Sequence, residues 1–163
     1  MSSDLDTVAM TNSDGFEPLS AVCRIHTTKM KPDYTSPWQE DMSGRSSASG
    51  FVVQDPRSAS GRLIVTCAHN VLYASDIMVQ KYNSDVKAPA DILRINVDCD
   101  IAILSMHDDS FWLIGDGDND SDNDEKQDII RPLTFGSLPR LQDHVRAIGY
   151  PELGSEICIT QGM

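Results

Sequence analysis

The chain has 163 residues, 40% of them apolar and 23% charged, which suits one globular unit, or one unit and a fragment, whose core needs no disulfides. Thirteen Lys and Arg against 25 Asp and Glu leave a net charge of −12, which argues against nucleic acid or an anionic membrane as a main partner. Most of that charge is local: residues 1–20 carry −4 and residues 115–128 carry −6, so the remainder is nearly neutral.

Residues 1–20 are rich in Ser, Asp and Thr and read as a disordered acidic tail. They lack the basic start and apolar stretch of a secretory signal, and the Arg-rich, acid-poor character of a transit peptide. An intracellular protein is expected, with cytosol, nucleus and organelle left open. Nowhere does the chain approach the about 20 apolar residues of a membrane-spanning helix. From Ala21 the pattern changes, because 21–26 alternates apolar with polar residues and predicts a first strand. A loop over 28–45 follows, punctuated by Pro32 and Pro37. Further strands are expected at 49–53, 62–66, 77–81, 90–96 and 101–106, with one short helix at 68–73. Strands about ten residues apart with turn residues between them indicate an all-β chain, a small antiparallel barrel or sandwich.

The stretch 115–128 alternates Asp with Gly, Asn and Ser and reads as a flexible insert. A calcium loop needs Gly at its sixth position and Glu at its twelfth. Starting at Asp116 those positions hold Ser121 and Gln127, and starting at Asp118 they hold Asn123 and Ile129, so both frames fail. Order is expected to resume at 132–136, followed by two strands at 144–148 and 156–160. Four widely spaced cysteines (Cys23, Cys67, Cys99, Cys158) form no zinc pattern and read as reduced thiols, mostly packed in the core.

Chemistry concentrates around Thr66-Cys67-Ala68-His69-Asn70-Val71, which follows an apolar strand, and around Asp98-Cys99-Asp100-Ile101-Ala102, some thirty positions on. An imidazole at a strand-to-helix corner is placed to take a proton from a neighbouring hydroxyl. A carboxylate on its other ring nitrogen fixes the tautomer and stabilises the imidazolium. His26, His107 and His144 match no motif and read as strand or loop residues. Cys67 and Cys99 flank the pair, and nothing in the sequence marks either as a redox or nucleophilic thiol.

From about Ala21 to Met163 the sequence resembles the HtrA/Do-like (Deg-type) serine proteases. The resemblance rests on Ser49-Gly50-Phe51-Val52, on the His69 and Asp100 stretches, on Pro132-Leu133-Thr134-Phe135-Gly136, on Val145-Arg146-Ala147-Ile148-Gly149-Tyr150-Pro151 and on Ile159-Thr160-Gln161-Gly162. Tyr34-Thr35-Ser36-Pro37-Trp38-Gln39, Phe111-Trp112 and Leu138-Pro139-Arg140-Leu141-Gln142-Asp143 look like the plant and protist branch. The resemblance implies a trypsin-like double β-barrel with the first barrel over 21–137, carrying the insert at 115–128. A linker and the first two strands of a truncated second barrel would occupy 138–163. It also implies His69 as general base and Asp100 as its orienting carboxylate, serving ATP-independent cleavage of unfolded or damaged protein.

No metal, cofactor, nucleic acid or membrane span is implied, and homo-oligomerisation would use parts outside this chain. The third triad member should be a serine in a glycine-rich loop of the second barrel. Ser49 lies upstream of His69 in a first-barrel strand, Ser155 is followed by Glu156 where an oxyanion loop needs glycine, and no later serine exists. The nucleophile is thus expected outside these residues, and the chain alone is expected to be inactive. The alternative is a non-catalytic binding module, a truncated isoform or pseudoprotease.

Overall fold

The structure, a computed structural model, describes residues 18–30, 44–55, 57, 61–113, 129–151, 154 and 156–163. The expected acidic insert, most of the proline-punctuated loop and residues 1–17 of the expected tail lie outside these. The tail expectation needs one correction within them. Pro18–Ala21 form a 3-10 turn, and Ala21 is fully buried against the core.

Six strands follow: β1 (Val22–Lys29), β2 (Gly44–Gln54), β3 (Arg62–Thr66), β4 (Ala74–Gln80), β5 (Lys87–Asn96) and β6 (Ile101–Met106). They close into an antiparallel barrel in the order β1-β2-β3-β6-β5-β4, with β4 returning to β1. The all-β expectation holds, and of its two forms the barrel is the one present. Alternation is the cause. Ile25 on β1, Val52 on β2, Ile64 on β3, Val79 on β4 and Leu104 on β6 are all at most 1% exposed and meet inside.

A narrow barrel needs small residues where side chains from several strands converge. Gly50 meets that need, since a Cβ there would sit 2.7 Å from Ile25 Cδ1 and 2.9 Å from Ile64 Cγ2. Phe111 and Trp112, edge to face at 5.2 Å in a 3-10 turn at Asp109–Trp112, pack against the same core. Residues 130–133 then pack against the barrel, with Ile130 buried in the core cluster. Leu133 N–H donates to Val52 O, and Arg62 Nε donates to Ile130 O.

Strands β1 and β2 reach further into the expected loop than alternation indicates. Thr28 pairs with Arg45 and Lys29 with Gly44. Polar residues at a barrel rim keep the backbone ladder without any apolar signal, and here the Thr27 and Ser46 hydroxyls bond at 2.7 Å. A helix predicted over 68–73 shortens to α1 (Ala68–Val71), because Leu72 turns extended and Tyr73 adopts a φ of 60°.

Beyond the barrel, β7 (Val145–Gly149) and β8 (Cys158–Gly162) form a two-stranded antiparallel sheet. Each begins one or two residues later than the sequence pattern suggests. This sheet is tied to the barrel through Ser49. Its hydroxyl donates to Tyr150 O at 3.2 Å and accepts from Tyr150 N–H at 2.7 Å. Among the described residues no helix is long and apolar enough to cross a membrane.

The cysteines depart from expectation. Only Cys23, on β1, is buried, and Cys67, Cys99 and Cys158 are exposed. Their positions explain it: a strand-to-helix corner, a turn, and a sheet open to solvent.

Candidate active site

Strand β3 ends at Thr66, whose hydroxyl donates to Ser49 O at 2.9 Å and fixes the strand end. The chain bends at Cys67 into the single turn α1, anchored inward by Ala68 and Val71, each 1% exposed. That leaves His69 facing outward at the barrel rim, its side chain 66% exposed. On the neighbouring hairpin, the β5–β6 turn is tightened by Asp100 N–H on Val97 O and by Cys99 N–H on the Asn96 side chain. Asp100 closes the turn at a φ of 52°, a left-handed conformation that Asp tolerates better than most residues.

The two segments are bonded at three points. Ala68 N–H donates to Asp100 O at 3.1 Å, and His69 N–H donates to Asp100 Oδ1 at 2.9 Å. Then His69 Nδ1 meets Asp100 Oδ2 at 2.6 Å. An ionised carboxylate only accepts, so Nδ1 carries the proton and Nε2 is left as the ring's acceptor. The backbone N–H of His69, followed by its ring, holds the Asp100 carboxyl below its ordinary range. Asp100 therefore stays charged across the physiological range. The arrangement is an oriented imidazole with its basic nitrogen turned away from its partner, the geometry a general base requires.

Sequence reasoning named both residues, and the structure brings them together. It missed what holds the turn from behind. Lys29 Nζ donates to His69 O at 2.9 Å, and Thr27 Oγ1 donates to Asn70 O at 3.1 Å. Thr27 and Lys29 sit two apart on β1, some forty residues upstream, and no local motif points from there to His69. It noted Cys67 beside the pair but assigned it no role, and the structure places its sulfur in a cluster with a ligand atom each from His69 and Asp100, all within 4.8 Å.

The remaining candidates are placed elsewhere. His26 Nε2 bonds Gln80 Oε1 at 2.8 Å, His107 pairs with exposed Asp91 at 2.6 Å, and His144 is exposed on the approach to β7. Ser49 is engaged with Tyr150 inside the fold, as described above, and Ser155 lies outside the described residues.

Residues 48–163, from the middle of β2 onward, match the family described as "Trypsin-like peptidase domain". The chain belongs to the trypsin-like peptidase domain family. Within that family its likeness is to the HtrA/Do-like branch. It is 36% identical over 145 residues to "Protease Do-like 2, chloroplastic" of Arabidopsis thaliana, covering 89% of this chain and 20% of that protein. It is 31% identical over 142 residues to "Serine protease DegP homolog" of Plasmodium falciparum, covering 87% and 14%. A solved structure, "HtrA-type protease AlgW with tripeptide", superposes with a TM-score of 0.58 at 21% identity, over 88% of this chain and 36% of that one. The trypsin-like fold accounts for the barrel and the small second sheet alike. The chain spans about a fifth of the length of the first of these relatives.

Proposed function

We propose that this chain supplies the histidine and aspartate of an HtrA/Do-like serine endopeptidase. His69 is the general base, Asp100 the group that orients it, and β7 with β8 the opening of a second barrel. The observation that carries this reading is the double grip of Asp100 on His69, one oxygen on the backbone N–H and the other on Nδ1. A carboxylate that merely neutralised a surface histidine would not need both.

In the reaction, His69 Nε2 takes the proton of a serine hydroxyl as that oxygen attacks the peptide carbonyl. The resulting imidazolium is stabilised by Asp100 and returns the proton to the departing amine. The serine and its oxyanion donors belong to residues outside this sequence, so the 163-residue chain is expected to be inactive. Losing a triad nucleophile costs on the order of 10⁶ in turnover. Substrates are unfolded or damaged proteins, and the location is intracellular, a reading supported by relatives named for the chloroplast and the mitochondrion.

The test has two arms. A fluorophosphonate probe should leave the 163-residue chain unlabelled, and a mapped serine adduct would contradict the assignment of the nucleophile. In a longer chain that includes the serine-bearing half, His69→Ala and Asp100→Asn should each abolish most cleavage of an unfolded substrate. The Asp100 change should cost about 10⁴, by permitting the wrong tautomer. Full activity in His69→Ala would remove the assignment. A longer chain with no proteolysis at all would favour the binding-module reading.

A further inference from the structure

Cys67 is the one exposed cysteine that joins a histidine and a carboxylate in a compact group among the described residues. Its sulfur, a ring nitrogen of His69 and a carboxylate oxygen of Asp100 all lie within 4.8 Å of one another. From these positions we propose that Cys67, His69 and Asp100 form a binding site for a single thiophilic divalent cation of the zinc type, and that the bound ion switches the His69–Asp100 pair off.

The ligand set selects the metal class. Calcium and magnesium take oxygen ligands, whereas thiolate with imidazole and one carboxylate suits zinc and its soft neighbours. Zinc bonds of about 2.3 Å to sulfur and 2.0–2.2 Å to nitrogen and oxygen imply ligand-to-ligand separations of about 3.4–3.6 Å in a tetrahedron. The sulfur, within 4.8 Å of the other two ligand atoms, has to close to about 3.6 Å, and for ligation through Nδ1 the 2.6 Å contact between Nδ1 and Oδ2 has to open by roughly 1 Å.

Both adjustments are side-chain rotations at a rim where His69 and Cys67 are exposed. Ala68 N–H on Asp100 O already ties the two segments together, and Asp100 keeps Oδ1 on His69 N–H while Oδ2 turns to the ion. A fixed second oxygen of this kind orients a ligating carboxylate. Three protein ligands leave a fourth position for water. On binding, the Cys67 thiol gives its proton to solvent and coordinates as thiolate.

Catalytically the ion and the serine hydroxyl compete for one imidazole. Coordination at Nδ1 breaks the bond to Asp100 and moves the ring proton to Nε2, and coordination at Nε2 consumes the basic lone pair. Either way His69 cannot accept the serine proton. This consequence rests on the reading of His69 as general base. The metal site does not.

The test uses the 163-residue chain with cobalt(II) and zinc as probes. Cobalt should bind at one equivalent with a thiolate-to-metal charge-transfer band, displaced by zinc and unaffected by calcium or magnesium. Cys67→Ala should abolish the band and weaken zinc binding at least about tenfold, and Cys99→Ala and Cys158→Ala should change neither. In the unmutated chain, zinc should slow alkylation of Cys67 alone, a readout independent of how any variant folds. The site is overturned if no thiolate band forms, if the band survives Cys67→Ala, or if zinc protects Cys99 or Cys158 equally. Loss of proteolysis in His69→Ala without a cobalt band would keep the protease reading and end this one. A cobalt band in a chain whose longer form is indifferent to His69→Ala would do the reverse.

Discussion

Asp100 shows how much one residue at a turn can carry. Its φ of 52° turns the carboxylate back toward α1, its carbonyl takes Ala68 N–H, and its two oxygens divide between the backbone and ring of His69. Because those bonds lower its pKa, the sign of the pH effect is fixed. The stabilisation is present above the unfolded value and is lost as pH falls through the depressed folded one. Carboxyl NMR titration should place the Asp100 midpoint below the ordinary 3.8, and a midpoint at or above it contradicts the double grip. The cysteines offer a second check. Burial pushes the Cys23 thiol up to about 12, so a thiol reagent at neutral pH should label Cys67, Cys99 and Cys158 and spare Cys23 in the folded chain. Labelling of Cys23 at the rate of the others would mean that the barrel is open. His69 and Asp100 were legible in the sequence because each sits in a short local phrase. The exposure of three cysteines was not, since a cysteine has the same apolar character in a core as at a corner. Lys29 and Thr27 were illegible for a different reason: their contact with α1 exists only once the barrel has closed.

Strands carry the next level, and Gly50 on β2 is a point of close packing among them. A methyl group there would press on Ile25 and Ile64, both 0% exposed. Gly50→Ala should destabilise the barrel by about 1–3 kcal/mol, the usual penalty of overpacking. Denaturant unfolding of the variant decides it, and an unchanged midpoint would show that the barrel interior relaxes. One residue earlier, Ser49 points the other way, to Tyr150, and Gly149 leaves space for it, because a Cβ there would lie 2.7 Å from Ser49 Oγ. Ser49→Ala should cost about 1 kcal/mol and speed hydrogen exchange at Tyr150 N–H while leaving the β3 amides protected. Equal exchange in both chains would remove Ser49 as the link between the two sheets. At this scale the sequence was most informative in strand interiors, where 22–25, 62–66 and 101–106 alternate or run apolar. It was least informative at strand ends, where Ser, Thr and Arg keep the backbone ladder without an apolar signal, and along β5. There Ile92, Leu93 and Ile95 are 39–49% exposed, and the pairing register shifts between Ile92 and Arg94.

For the molecule as a whole, the contrast is between a closed barrel and a small sheet with little beneath it. Every residue of β8 is exposed, and Val145 and Ile159 are 44% and 43% exposed on paired strands. The approach to β7 adds Phe135, Leu138 and Leu141 at 83–98% exposure. Two strands are a marginal unit in water, and an apolar sheet with open edges is a template for pairing with another chain. The net charge of −12 offers little protection, because most of it lies in residues 1–20 and 115–128, outside these strands. The 163-residue chain should therefore self-associate in solution. A chain ending at Ser137 retains β1–β6 and the Leu133 contact with Val52, and should scatter less light at equal concentration. Two results count against this argument. If the longer chain stays monomeric at high concentration with the amides of β7 and β8 protected from exchange, the sheet is stable without a partner. If both chains associate equally, the driving surface is the exposed apolar run on β5, and the second sheet is not responsible.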